Sequence, residues 1–144
     1  MPKTISLTHS YDAPSATVWA MATDYEALAK VMEGLVSFEG LPEGRIEKGQ
    51  HLEVMVSLFG KLPAQPYTMD LLEFDDDEMR FKSSEVGAGV KSWVHELQVV
   101  AVGQGCEIRE KITVDAGLLT PVFAAWARFM YKRRHGKRLA LLAQ

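Results

Sequence analysis

The residues of this sequence best suited to chemistry are His95 and Glu110. Each sits in a segment of alternating polarity. In the first, Trp93, His95, Leu97 and Val99 fall on one face and Ser92, Glu96 and Gln98 on the other. In the second, Ile108, Glu110, Ile112 and Val114 share a face, opposite Glu107, Arg109, Lys111, Thr113 and Asp115. That period of two is a strand pattern. Gly103-Gln104-Gly105 between them reads as a hairpin turn, so the two strands pair. Any register that keeps both apolar faces inward sets His95 and Glu110 on the same side, opposite or diagonal to one another. An imidazole and a carboxylate in an apolar hollow have three uses. They satisfy each other, they orient a polar group on a ligand, or they act as an acid/base pair in which Glu110 orients His95.

The other candidate groups read as structural. The four histidines show no metal-ligand spacing, and no cofactor motif is present. Asp75-Asp76-Asp77 lacks the spaced ligands of a calcium loop and reads as turn chemistry. Gly87-Ala88-Gly89 is followed by strand pattern rather than by a helix, which excludes a phosphate loop. Cys106 opens a strand with no activating neighbour in sequence.

The elements that must position His95 and Glu110 follow from pattern and punctuation. Lys3 to Tyr11 alternates, with Ile5, Leu7, His9 and Tyr11 on one face. Asp12-Ala13-Pro14-Ser15 starts a short helix, and Asp24 caps a second that carries Leu28, Val31 and Met32 on its buried side. Residues 35–40, 50–59, 66–75, 78–86, 91–102 and 106–116 then read as strands separated by short turns. Short connections imply an antiparallel meander. Leu118 to Gln144 closes the order as one long helix. Thr120 is the expected cap, Pro121 the first helical residue, and Leu119, Val122, Phe123, Trp126, Phe129 and Met130 the expected inner stripe. Gly136 is the expected kink or end. The predicted class is α+β. A curved seven-stranded antiparallel sheet wraps a long C-terminal helix, with two short helices after the first strand.

Bulk properties agree with one domain over residues 1–144. Apolar residues make up 47% and charged residues 24%, as in an ordinary globular protein. The net charge of −3 argues against general nucleic-acid binding. There is no apolar run near a membrane-spanning length and no leader pattern, and the single cysteine fits a reducing compartment, so a cytoplasmic location is expected. The sequence assigns no oligomeric state.

The chain resembles the SRPBCC superfamily, the START/Bet v 1-like helix-grip proteins, and within it the polyketide cyclase/dehydrase and lipid-transport-like branch. Tyr11-Asp12-Ala13-Pro14 followed by Val18-Trp19 and Asp24 resembles the opening of that family, and Gly49 sits where a glycine usually precedes the third strand. Trp93-Val94-His95 is similar to an aromatic-x-His of one subgroup, Glu110 stands where that subgroup often has Asp, and Arg133-Arg134 with Leu139 resembles the end of its helix. Two departures are Glu for Asp at 110 and Gly105-Cys106 for Gly-Thr. The resemblance implies the helix-grip fold and a hydrophobic ligand held between sheet and helix.

A sheet wrapped on one helix leaves a hollow, and hollows of this kind hold small apolar ligands. The expected lining is Leu7, His9, Tyr11, Met55, Phe59, Tyr67, Met69, Phe81, Trp93, His95, Leu97, Glu110, Ile112, Phe123, Trp126 and Met130. The first expectation is binding of a hydrophobic or amphipathic molecule, lipid or polyketide-like. The second is a cyclase or dehydratase using His95 and Glu110. The third is a regulatory interaction module that contacts its partner through the basic run Lys132, Arg133, Arg134, Lys137 and Arg138. Most of that run reads as a solvated helix end. Continuing the apolar stripe brings Arg133 and Lys137 inward, to snorkel or to meet an anionic group, and the same run could touch an anionic membrane.

Overall fold

Alternating side chains over Lys3–Tyr11 form β1, and Pro14 leads into α1 at Ser15–Ala22. The computed structural model describes residues 2–143, so Gln144, where the expected helix ends, lies outside them. Asp24 opens α2 at Tyr25–Val31 as its pattern predicts, its carboxylate accepting from the Ala27 N–H at 2.9 Å. Six strands follow: β2 Val36–Glu39, β3 His51–Leu58, β4 Gln65–Asp75, β5 Arg80–Gly87, β6 Val90–Val102 and β7 Gly105–Asp115. A 3-10 turn at Gly117–Leu119 leads into α3, Thr120–Leu142.

The sheet order is β1-β7-β6-β5-β4-β3-β2, with antiparallel pairing throughout. β2 to β7 form the meander that the short turns require, and β1 closes onto β7. Two bulges bend it. One lies between Leu71 and Glu73 on β4, and one lies opposite Glu85 and Gly87, where β6 carries the extra residue between Val90 and Trp93. The first changes the parity of β4. Leu71 packs inward, Leu72 is turned out, and Phe74 is inward again against Trp19.

The acidic hairpin behaves as turn chemistry. Asp75 accepts from the N–H groups of Asp77 and Glu78, both at 3.0 Å. Its neighbour Asp76 accepts from Trp19 Nε1 at 2.8 Å and Arg45 Nη2 at 2.9 Å, which ties α1 to the sheet.

α3 corrects three expectations. Thr120 does not cap it. Its hydroxyl instead accepts from the Ala116 N–H and donates to the Gly117 carbonyl, bracing the 3-10 turn. Gly136 neither ends nor interrupts the helix, which runs on to Leu142. The inner face is rotated from the expected stripe: it carries Ala124, Ala127, Met130, Tyr131, Arg134 and Arg138. Leu119, Val122 and Phe129 are 57%, 63% and 48% exposed. The physical reason is approach distance. Ala127, wholly buried, lets the backbone come close to the sheet, and a stripe of large residues would hold it away.

This rotation predicts opposite outcomes at two positions. Ala127→Leu should overpack the helix–sheet contact and cost about 1–3 kcal/mol. Phe129→Ala, on the exposed side, should cost less than about 1 kcal/mol. Urea unfolding of both variants measures the difference.

Candidate functional site

Between α3 and the concave face of β3 to β6, with α2 along one side, lies a cavity of about 370 Å³. Its wall is mainly apolar. Leu52, Val56, Tyr67, Met69, Leu71, Phe81, Val90, Trp93 and Leu97 line the sheet side, and Phe123, Trp126 and Met130 the helix side. Near one mouth, where β3 turns into β4, Phe59 sets its ring edge-on to Trp126 at 5.5 Å.

Asp24, Gln50, Gln65 and Asp70 add polar groups to the lining, and two further polar clusters bear on the site. The first is a buried chain that crosses three elements. His95 on β6 and Glu110 on β7 are diagonal in register, since Leu97 faces Glu110 and His95 faces Ile112. His95 Nε2 lies 2.7 Å from Glu110 Oε2, and Arg138 Nη1 on α3 donates to Glu110 Oε1 at 3.0 Å. Burial opposes the charge on Glu110, but the Arg138 guanidinium, the His95 bond and the Arg134 charge overcome it and hold the carboxyl well below its usual range. Burial likewise opposes the charge on Arg138, and Glu110 more than offsets it, so Arg138 stays cationic. An ionised carboxylate only accepts, so His95 Nε2 donates and Nδ1 is the nitrogen left for a guest. Glu110 itself stands behind His95 and does not line the cavity.

The second place is the wall between β4, β5 and α3. Glu85 accepts from Tyr67 OH at 2.9 Å and from Ser83 Oγ at 3.0 Å. Burial, followed by the Glu85 charge, pushes the Tyr67 hydroxyl well above its ordinary pKa, so it stays a donor. Arg134 enters the same cavity from α3. Its Nε donates to Met32 Sδ at 2.9 Å and its guanidinium lies 4.5 Å from the Tyr131 ring centre. Tyr131 in turn accepts from Trp93 Nε1 at 3.3 Å and stacks at a tilt 5.0 Å from His95.

Several expected lining positions lie elsewhere. Met55 faces the opposite side of β3, because Val54 pairs with Tyr67 and Met55 with Pro66, so the even-numbered residues point inward. Phe59, with φ of 58° and 48% exposure, sits at the rim rather than on the wall. Leu7, His9, Tyr11 and Ile112 share the inner face, but α3 lies directly over that part of the sheet and separates them from the cavity. There His135 stacks on His9 at 4.5 Å, and its Nδ1 lies 3.0 Å from Tyr11 OH.

The basic run is also redistributed. Arg134 and Arg138 are the inward cations, which takes them out of any membrane or partner contact. Arg133 is exposed, and Lys137 reaches the Glu33 carbonyl outside the cavity. Residue spacing carried the missing signal: from Ala127 and Tyr131, steps of three and four lead to Arg134 and Arg138, and an inward Glu110 demands a cation. Glu85 and Ser83 were legible only as inward positions of β5.

The family model described as polyketide cyclase / dehydrase and lipid transport matches residues 2–144. No curated protein matches the sequence. Protein CV1439 from Chromobacterium violaceum is similar in structure, with a TM-score of 0.72 and 18% identity over 96% of each chain. Ara h 8.0201 has a TM-score of 0.70 and 15% identity, over 97% of this chain and 99% of that one. Norcoclaurine synthase from Thalictrum flavum, in complex with dopamine and hydroxybenzaldehyde, has a TM-score of 0.67 and 16% identity, over 100% of this chain and 89% of that one. These likenesses are of fold.

The ion chain makes a stability prediction. Glu110→Gln leaves the Arg138 charge buried without its partner and should cost about 3–5 kcal/mol at neutral pH. Because the folded pKa of Glu110 is depressed, its contribution is full above the ordinary value of 4.5 and declines as pH falls from there toward the folded value. Urea unfolding between pH 7 and pH 3 should show a shallower acid limb in Glu110→Gln than in the parent.

Proposed function

This chain belongs to the polyketide cyclase / dehydrase and lipid transport family, and from that premise we propose that it holds a hydrophobic or amphipathic small molecule between the sheet and α3. The observation that carries the reading is the cavity itself: about 370 Å³, walled mostly by apolar side chains, with a few polar groups set at fixed places. That size lies within the ordinary range of small-molecule sites, about 300–1,000 Å³. Transfer of a lipid or polyketide-like body into such a space is favoured by about 25 cal/mol for each Å² of apolar surface removed from water. The chain as described has no helix long and apolar enough to cross a membrane. A cytoplasmic location belongs to the same proposal, since one lone cysteine suits a reducing compartment.

One observation favours a second reading, a cyclase or dehydratase. His95 lines the cavity while a buried, ionised Glu110 fixes its ring. That arrangement leaves Nδ1 as the ring nitrogen available to take a proton from an acidic C–H or O–H position of a guest. Arg138 weakens this use by sharing the Glu110 charge.

Two measurements separate these readings. Native mass spectrometry of the protein from its own host should show a co-purifying small molecule, and Met69→Trp, which fills the cavity, should remove it while the fold is kept. An undiminished guest in Met69→Trp would place the ligand elsewhere. His95→Ala should weaken a carrier by no more than about 1–3 kcal/mol in binding. In an enzyme the same change should cut turnover by about 10²–10⁴ and leave binding largely intact.

A further inference from the structure

Arg134 stands apart from every other buried charge in the protein. It is 9% exposed, yet no carboxylate pairs with it among the described residues. Its neighbour Arg138 has taken Glu110, whose second oxygen is committed to His95. A guanidinium carries five N–H donors. Here the Nε donor meets the Met32 thioether, a weak acceptor, and the Tyr131 ring offers its face but no lone pair in the guanidinium plane. The Nη groups make no hydrogen bond to the protein among the described residues, and the side chain forms part of the cavity wall. On the sheet side of the same cavity Glu85 is held by two hydroxyl donors, and no cation pairs with it among the described residues. The charged residues of the lining are therefore Asp24, Asp70 and Glu85 on the α2 and sheet sides, and Arg134 with the Glu110-paired Arg138 on the helix side.

Resting on the cavity-binding reading, we propose that Arg134 is an anion-recognition site and that the guest is an amphipathic monoanion: an apolar body with one acidic group, a carboxylate or acidic enol, seated on the Arg134 Nη groups. Glu85 repels that acid from the sheet wall and accepts from a hydroxyl elsewhere on the guest. A buried guanidinium whose Nη donors lack an acceptor is costly, so the guest supplies the missing partner. The planar fork suits an acid that presents two oxygens. A neutral lipid of the same body would forfeit this contact.

The test uses two probes that share an apolar body. 1-Anilinonaphthalene-8-sulfonate carries an anion, and N-phenyl-1-naphthylamine does not. Titration of the full chain, followed by probe fluorescence, should show the anion bound at least about tenfold more tightly, and each probe should displace the other. Arg134→Gln should lower anion affinity by about tenfold to a hundredfold and change neutral-probe affinity by less than about threefold. Arg134→Lys should retain part of the preference. Should Arg134→Gln fail to fold, the ratio in the parent chain and the Arg134→Lys result decide. Equal affinities in the parent overturn the anion site and leave the cavity reading standing. So do equal losses for both probes in Arg134→Gln, no loss for either, or failure of mutual displacement. If neither probe binds the parent chain, the cavity reading falls, and this proposal with it.

Discussion

Glu110 is the constraint from which the rest of the interior follows. A carboxylate placed on the inner face of β7 is tolerable only if other elements bring it partners, because an unpaired buried ion costs several kcal/mol. β6 supplies His95 and α3 supplies Arg138. The helix is thereby fixed in rotation and in position along its axis. With Arg138 on Glu110, the turn before it must present Arg134 and Tyr131, and the turns before that Ala127 and Ala124. The small residues let α3 settle on β1 and β7, while Phe123, Trp126 and Met130 are left to wall the cavity.

The same chain of charges shapes the electrostatics of the hollow. Glu110 and Arg138 pair with each other at its margin, which leaves Arg134 on the helix side and Asp24, Asp70 and Glu85 on the other sides as the remaining charged residues of the lining. Hydroxyls hold Glu85 in place and an aromatic face steadies Arg134, so both are set before any guest arrives. Recognition as proposed above would thus rest on strands and on the better-anchored half of α3.

Much of this was readable in the sequence. The alternation of β6 and β7 placed His95 with Glu110, the turn residues set the meander, and Asp24 marked α2. What failed did so for identifiable reasons. From Leu118 to Met130 almost every residue is apolar, so hydrophobicity alone does not select the buried sector of the helix. The sector is chosen by side-chain size at Ala124 and Ala127 and by the distant Glu110. On β3 an inward Met55 has the wrong parity, because Leu52, Val54, Val56 and Leu58 mark the other phase. Leu7, His9 and Tyr11 were given the right face, but which part of that face lies open and which lies under the helix is a matter of tertiary placement.

One asymmetry of α3 bears on how cargo would move. Its last three turns are riveted by Arg134 to Met32, His135 to Tyr11, Lys137 to the Glu33 carbonyl and Arg138 to Glu110. Its first turns, beyond the Thr120 brace, rest on van der Waals contact alone, with Leu119, Val122 and Phe129 open to water beside Trp126 and the exposed loop at Phe59 and Leu62. The two ends of α3 are therefore held differently, the first by the chain's short turn from β7 and the Thr120 brace, the last by polar side-chain contacts. For the ligand-holding role proposed above, a guest leaving past Phe59 and Trp126 would break only apolar contacts there, so its residence time would depend on those side chains rather than on the polar ties of the last turns.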